Sequence, residues 1–90
     1  MAVMVTLTLK LDAATYQAAH GELLKAAREA GLIFDSGREV DGGIGVVDFW
    51  PSAEAFQAFF SGPASARFEA AGVEPPDDVQ FVEVLNADRG

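Results

Sequence analysis

Apolar and polar side chains alternate at the start of the chain, and this alternation predicts a β-strand over residues 3–11. The odd positions are all apolar, whereas the even positions are Met4, Thr6, Thr8 and Lys10. Because successive side chains of a strand point to opposite faces, one face of this strand is wholly apolar. We therefore expect that face to lie on a hydrophobic core.

A helix is predicted over residues 13–30. Asp12 precedes it, and a carboxylate at this position accepts hydrogen bonds from the free amides of the first turn. Gly31 is suited to end the helix, because glycine readily adopts the left-handed conformation found at helix ends. Residues at three- and four-residue spacing form one stripe that faces the core. They are Tyr16, Ala19 or His20, Leu23, Ala27 and Ala30.

A hairpin is predicted next. Residues 32–40 form its less regular strand, because Asp35-Ser36-Gly37 interrupts the apolar pattern. Asp41-Gly42 is a dipeptide typical of hairpin turns. The partner strand covers residues 44–50 and is almost entirely apolar. It should therefore lie near the centre of a sheet.

Two helices and a strand complete the chain. Ser52 is placed to cap a helix that runs to about Ser61, where Gly62-Pro63 is predicted to break it. A short helix is predicted over residues 64–71, and a final strand over residues 79–86.

The order of these elements, βαββαβ, predicts a ferredoxin-like α+β fold. We expect one domain over residues 1–90, in which helices cover one face of a four-stranded antiparallel sheet. The other face carries Val47, Phe49, Val82 and Val84 in one register. In the opposite register it carries the residues that lie between them. Both sets leave an apolar face uncovered, which is uncommon in monomeric proteins. We therefore predict a homodimer whose two sheets pack face to face.

Composition narrows the possible partners. Fourteen acidic and six basic residues give a formal net charge of −8, which disfavours binding to phosphate groups. We therefore expect neither a nucleic acid nor a membrane surface as a partner. The chain has no cysteine, and it has no run of the roughly 18 to 20 apolar residues that a membrane-spanning helix needs. A cytoplasmic protein is the simplest interpretation.

Asp48 and Trp50 are the first candidates for a site, because they share one face of an apolar strand. A buried carboxylate needs a polar partner, a ligand or solvent. In an apolar cleft its pKa rises toward the range useful for proton transfer, so Asp48 is a candidate base or hydrogen-bond acceptor. The alternatives are that Asp48 sits at the sheet surface or pairs with Arg38 or Arg67, and that Trp50 only packs against the following helix.

His20, the only histidine, lies one helical turn after Tyr16. Histidine titrates nearest to neutral pH, so His20 is a candidate general base, hydrogen-bonded to Asp48, while Tyr16 orients a substrate hydroxyl. A surface or half-buried helix histidine is the alternative. One histidine with scattered carboxylates makes a poor metal set, and the glycines form no phosphate loop. We therefore predict no metal, flavin or other cofactor.

Aromatic residues after the third strand could line a pocket for a flat apolar molecule, although the core is the commoner place for them. They are Phe56, Phe59, Phe60 and Phe68. Two polar residues complete the candidate substrate-binding set. Arg67 would hold an anionic or enolate oxygen, unless it is a solvated or salt-bridged helix residue. Asn86 would line the pocket mouth or cap the final strand.

Three segments carry a resemblance to a known family. They are VVDFWPSAEAFQAFF across the third strand and second helix, YQAAHGELL in the first helix, and VEVLNA near the end. Together with the βαββαβ order, they resemble the antibiotic-biosynthesis-monooxygenase-like group of dimeric α+β barrel proteins, including its small bacterial members. The resemblance covers nearly the whole chain. It implies a homodimer with a pocket between helices and sheet in each subunit. It also implies oxygenation of aromatic polyketides or quinols without metal or flavin, or oxidative haem degradation.

The chain departs from the family pattern Trp-x-[Ser/Asp/Glu]-x-x-Ala-x-x-Ala-His at its last position. Phe59 stands where the histidine belongs, and Val46 stands where the polyketide-oxidising type has an asparagine. The matching positions are Trp50, Ser52, Ala55 and Ala58. Two functions therefore stay open. One is a cofactor-independent monooxygenase, or a relative that uses the pocket for isomerisation or cyclisation. The other is a non-catalytic dimeric module that binds a ligand.

Overall fold

The computed structural model describes residues 2–88, and their elements follow the predicted order. The elements are β1 (Val3–Leu9), α1 (Ala13–Glu29), β2 (Phe34–Val40), β3 (Gly43–Trp50), α2 (Ala53–Phe59), a π-helical turn (Phe60–Ala64), α3 (Ser65–Ala70) and β4 (Gln80–Glu83). The predicted domain limits, residues 1 and 90, lie outside the described range. Within that range no helix is long and apolar enough to cross a membrane.

The strands form one antiparallel sheet in the order β2-β3-β1-β4, with the helices on one face. The ferredoxin-like α+β fold is therefore confirmed. The core lies between that face and the helices, and the central strands β1 and β3 contribute most of its sheet side. From them come the buried residues Val3, Val5, Leu7, Leu9, Ile44, Val46 and Trp50.

Short polar residues fix the helix ends as the sequence predicts. The Asp12 carboxylate accepts a hydrogen bond from the Thr15 amide at 2.7 Å and caps α1. The Ser52 hydroxyl accepts one from the Ala55 amide at 3.1 Å and caps α2. Gly31 follows α1 with a φ of +112°, a conformation that glycine adopts readily. These caps set where each helix enters and leaves the layer above the sheet.

The predicted break at Gly62-Pro63 is wrong. The chain passes through Pro63 in a π-helical turn and continues directly into α3. Proline lacks an amide donor and collides with the carbonyl four residues earlier in an α-helix. The wider π-helical turn accommodates the ring, so the helical path is kept while Phe60 and Ala64 turn toward the sheet.

Two strands are shorter than predicted. β1 ends at Leu9, because the Leu11 amide donates to the Leu9 carbonyl in a tight turn before Asp12. β4 covers Gln80–Glu83 rather than residues 79–86. Its partner β1 begins at Val3, opposite Glu83, so little chain is left with which later residues could pair.

The uncovered face of the sheet carries one apolar row that crosses all four strands. The cross-strand pairs place Phe34, Phe49, Met4 and Val82 in this row. Phe34 is 55% exposed and Val82 is 48% exposed. Of the two predicted sets, the one that includes Phe49 and Val82 lies on the uncovered face, whereas Asp48 and Trp50 face the helices.

Candidate functional site

A small cavity of about 60 Å³ lies between α1, the π-helical turn and the covered face of the sheet. Most of its wall is apolar. Four polar side chains reach it: Tyr16 and His20 from α1, Asp35 from β2 and Asp48 from β3. The polar groups of the cavity are therefore contributed by two opposing layers of the fold.

The hairpin turn brings the two aspartates together. The connection between β2 and β3 consists of Asp41 and Gly42, so Val40 pairs with Gly43 and Asp35 pairs with Asp48. Asp35 was not among the residues predicted for a site. The sequence does hold the signal, because a two-residue turn fixes the register of its flanking strands. Counting back from that turn places Asp35 beside Asp48.

Asp48 lies in a weakly polar environment. The indole Nε1 of Trp50 donates to its Oδ2 atom at 3.4 Å, while its Oδ1 atom is buried without a hydrogen-bond partner among residues 2–88. Burial, together with the adjacent Asp35 carboxyl and its negative charge, raises the pKa of Asp48 to about 9. The Trp50 donor opposes this shift but does not cancel it. Asp48 is therefore a protonated acid at neutral pH.

His20 lies beside Asp35 rather than Asp48. Its Nε2 atom is 3.6 Å from an Asp35 carboxylate oxygen, so a protonated His20 forms an ion pair with Asp35. The expectation of a direct His20–Asp48 hydrogen bond is thus corrected. Asp35 stands opposite Asp48 on the neighbouring strand and meets both side chains. The two acids differ in their neighbours, since one has an imidazole and the other an indole.

Tyr16 completes the polar wall. Its ring packs on that of His20, with centroids 5.1 Å apart. Its hydroxyl lies over Gly37, where a Cβ atom would be only 2.6 Å from it, so the absence of a side chain makes room for the phenol. Burial, with the negative charges of Asp35 and Asp48, raises the pKa of Tyr16 to about 12. Tyr16 therefore remains a hydrogen-bond donor.

The aromatic candidates divide into two groups. Phe59, Phe60 and Phe68 line the cavity. Phe56 does not, and Trp50 is fully buried against the rings of Phe56 and Phe59. Trp50 therefore does not line the cavity itself, but it contacts two residues that do, Asp48 through a hydrogen bond and Phe59 through ring packing.

The two polar candidates of the substrate-binding set lie outside the cavity. Arg67 forms an ion pair with Glu22 at the surface. The Asn86 side chain donates to Asp88. Within residues 2–88, no group of three or more histidine or carboxylate side chains is arranged to hold a metal ion. The chemistry of the cavity therefore depends on one imidazole, two carboxyls and one phenol.

Neither a family model nor a curated protein matches the sequence. Protein YJCS has a similar structure, with a TM-score of 0.72 at 15% identity over 93% of this chain and 99% of that chain. A protein from Chloroflexus aurantiacus assigned to the antibiotic biosynthesis monooxygenases has a TM-score of 0.56 at 15% identity, over 98% and 95% of the chains. A monooxygenase from the gene ActVA-Orf6 of Streptomyces coelicolor, in complex with the ligand nanaomycin D, has a TM-score of 0.54 at 22% identity, over 99% and 90%.

These similarities cover nearly the whole chain, and they include proteins of the kind that the sequence resembles. The resemblance to the antibiotic-biosynthesis-monooxygenase-like group is thus confirmed at the level of the fold. At identities of 15% to 22% the likeness shows the fold alone.

Proposed function

We propose that the chain binds a small aromatic or polyketide-like molecule with a hydroxyl group, and takes the hydroxyl proton in the cavity beneath α1. One observation carries this proposal. Tyr16, His20, Asp35 and Asp48 meet in an otherwise apolar cavity. A mostly apolar pocket with a few converging polar groups is the usual form of a small-molecule site.

His20 is the proposed base. The Asp35 carboxylate, 3.6 Å from His20, would stabilise the imidazolium that proton uptake creates. His20 thus accepts the ligand proton, and Asp35 holds its charged form in place. The role that the sequence suggested for Asp48 as the partner of His20 passes to Asp35.

Asp48 and Tyr16 are the proposed donors to the ligand oxygen that loses its proton. Both groups keep their own protons at neutral pH, since the pKa of Asp48 is about 9 and that of Tyr16 about 12. A carboxylic acid kept neutral by an apolar site can donate a hydrogen bond to an anion as it forms. The ligand would be held as an electron-rich oxyanion.

Such an anion is the form in which a cofactor-independent monooxygenase would present its substrate to molecular oxygen. With an anthrone, one oxygen atom of O₂ would replace the two hydrogens of the ring CH₂ group and give a quinone. The second oxygen atom would leave with those hydrogens as water. The Streptomyces coelicolor neighbour, solved with nanaomycin D, supports a ligand of this general kind. Isomerisation or cyclisation through the same anion is the alternative reaction.

A chromogenic phenol tests the proton transfer. 4-Nitrophenol is colourless when neutral and yellow when ionised. At a pH equal to the pKa of the free phenol, where half of it is ionised in solution, binding to the wild-type chain should increase the yellow band. His20→Gln should abolish this increase, whereas Gln17→Ala, at an exposed position of the same helix, should not. A bound but colourless phenol, or an unchanged yellow band in His20→Gln, would refute His20 as the base.

Oxygen consumption separates the two classes of function. If the chain is a monooxygenase, it should consume one O₂ for each anthrone that it converts. Binding without oxygen uptake or isomerisation would instead identify a non-catalytic module. Phe59, which occupies the position of the family's histidine, favours that second candidate.

We also propose that two chains form a homodimer through their uncovered sheet faces. The support is the apolar row of Phe34, Phe49, Met4 and Val82, in which Phe34 and Val82 are exposed to solvent and the other two are half-buried. Light scattering should give a dimer mass at micromolar concentration, and Phe49→Lys should give a monomer. Gln57→Lys, on the exposed side of α2, is the matched control. A monomeric wild type would contradict the proposal. The single-domain organisation and the cytoplasmic location stay predictions of the sequence.

A further inference from the structure

A second, larger depression lies directly beyond one wall of the inner cavity. This outer groove has a volume of about 590 Å³ and runs between α2, α3 and the segment that leads into β4. Phe60 and Phe68 line the inner cavity and the outer groove alike. Their ring centroids are 5.6 Å apart, so these two rings form the partition between the two spaces.

Neither space is sufficient alone for an aromatic ligand with a hydroxyl group. The inner cavity holds the acid and base groups, but about 60 Å³ suits a few water molecules rather than a ring system. The outer groove falls within the range of roughly 300 to 1,000 Å³ that is usual for small-molecule sites. It lacks the carboxyl pair, the imidazole and the phenol. Joined, the two spaces would supply both volume and chemistry.

The walls of the outer groove suit flat rings. Phe56, Phe60, Phe68 and Phe81 all line it. Phe56 stacks on Phe60 with centroids 5.0 Å apart and presents its edge to Phe81 at 5.6 Å. Aromatic side chains bind other rings in offset-stacked or edge-to-face arrangements, and this groove offers both.

Phe60 is the more exposed of the two rings that form the partition. Its side chain is half-buried, whereas Phe68 is 9% exposed and Ala64 is 1% exposed. Phe60 is also the first residue of the π-helical turn, a local structure frequent at functional sites. Rotation about its side-chain torsions would open the partition without moving the buried residues on either side.

We propose that the inner cavity and the outer groove are one binding site for an elongated aromatic hydroxyl compound, and that Phe60 is the gate between its two parts. The hydroxyl end reaches His20 and Asp48, while about two or three fused rings lie in the groove. This inference rests on the proposed function, because the inner cavity must take the hydroxyl end.

Amide chemical-shift mapping with two phenols tests the joined site. Ala27 reports on the inner cavity, and Val73 and Val79 report on the outer groove. With Phe60 rotated aside, the single ring of phenol fits in the place of the partition, so phenol should shift the inner reporter alone, whereas 2-hydroxyanthracene should shift both sets. If 2-hydroxyanthracene shifts only the inner reporter or only the groove reporters, the joined site is refuted. This result is expected if another protein segment fills the groove. Phenol binding at the inner reporter would then still support the proposed function. If neither compound shifts the inner reporter, the proposed function fails as well.

Variants of Phe60 test the gate. Phe60→Ala removes the movable ring, so 2-hydroxyanthracene should associate about tenfold faster, as expected when binding no longer waits for a conformational change. Phe60→Leu serves the same purpose if the alanine variant does not fold. Leu85→Ala truncates an exposed apolar side chain that lines neither space and should leave the association rate unchanged. An unchanged rate in a folded Phe60 variant would overturn the gate.

Discussion

Asparagine at position 48 is expected to stabilise the protein, and to do so more at pH 8 than at pH 5. Burial and the neighbouring Asp35 raise the pKa of Asp48 from 3.8 to about 9. Between these values the folded chain holds a proton that the unfolded chain lacks. The free energy of unfolding therefore falls by about 1.4 kcal/mol for each pH unit gained. From pH 5 to pH 8, three pH units, the fall is at most about 4 kcal/mol.

Asp48→Asn removes this titration, so its stability advantage over the wild type should grow with pH by up to that amount. Urea unfolding followed by circular dichroism at several pH values measures the difference. Protein concentration must be held constant, because the stability of a dimer depends on it. Asp41→Asn makes the same chemical change in the exposed hairpin turn, where asparagine is equally suited. A difference between Asp48→Asn and wild type that is constant from pH 5 to pH 8 would show that Asp48 is ionised in the folded chain.

Three further predictions concern core packing and glycine positions, and urea unfolding measures all three. Phe59→Ala should lower the free energy of unfolding by roughly 3 to 5 kcal/mol, because the Phe59 ring is 8% exposed and its centroid lies 5.4 Å from that of Trp50. A negligible loss would contradict the place of Phe59 in the core. Gly43→Ala should destabilise by more than about 1 kcal/mol, since φ is +150° and a Cβ atom would lie 1.9 Å from the Leu9 carbonyl oxygen. Gly21→Ala, with nothing within 4 Å in mid-helix, should instead stabilise by up to about 1 kcal/mol. If Gly43→Ala stabilised the protein, this would contradict the φ of Gly43 and its close approach to the Leu9 carbonyl oxygen.

Local patterns were sufficient for most of the fold. The alternation in β1, the caps at Asp12 and Ser52 and the turn at Asp41-Gly42 are signals within a few residues of the structure they specify. The path through Pro63 could not be read in the same way. Whether proline breaks a helix or is accommodated by a π-helical turn depends on how tightly the flanking Phe60 and Ala64 pack against the sheet.

The site was only partly accessible from the sequence. Asp48, His20 and Tyr16 were selected because of their chemistry, and all three line the inner cavity. Asp35 was missed, because its irregular strand offered no apolar pattern from which to infer a face; only the turn register reveals it. Arg67 and Asn86, which were predicted to bind substrate, lie outside the cavity for different reasons. Arg67 pairs with Glu22, which is 45 residues away in the chain and which no local pattern reveals. Asn86 pairs with Asp88, only two residues further along, and so remains outside the cavity.

The carboxyl carbon of Asp48 reports most directly on the proposed acid. Protein labelled with ¹³C-aspartate can be titrated by NMR, and Asp48→Asn identifies the resonance. At pH 7 this carbon should have the chemical shift of a protonated carboxyl, and it should change only near pH 9. A resonance that already has the shift of an ionised carboxylate at pH 7 would contradict the proposed site, because Asp48 could not then donate a hydrogen bond to a ligand oxyanion.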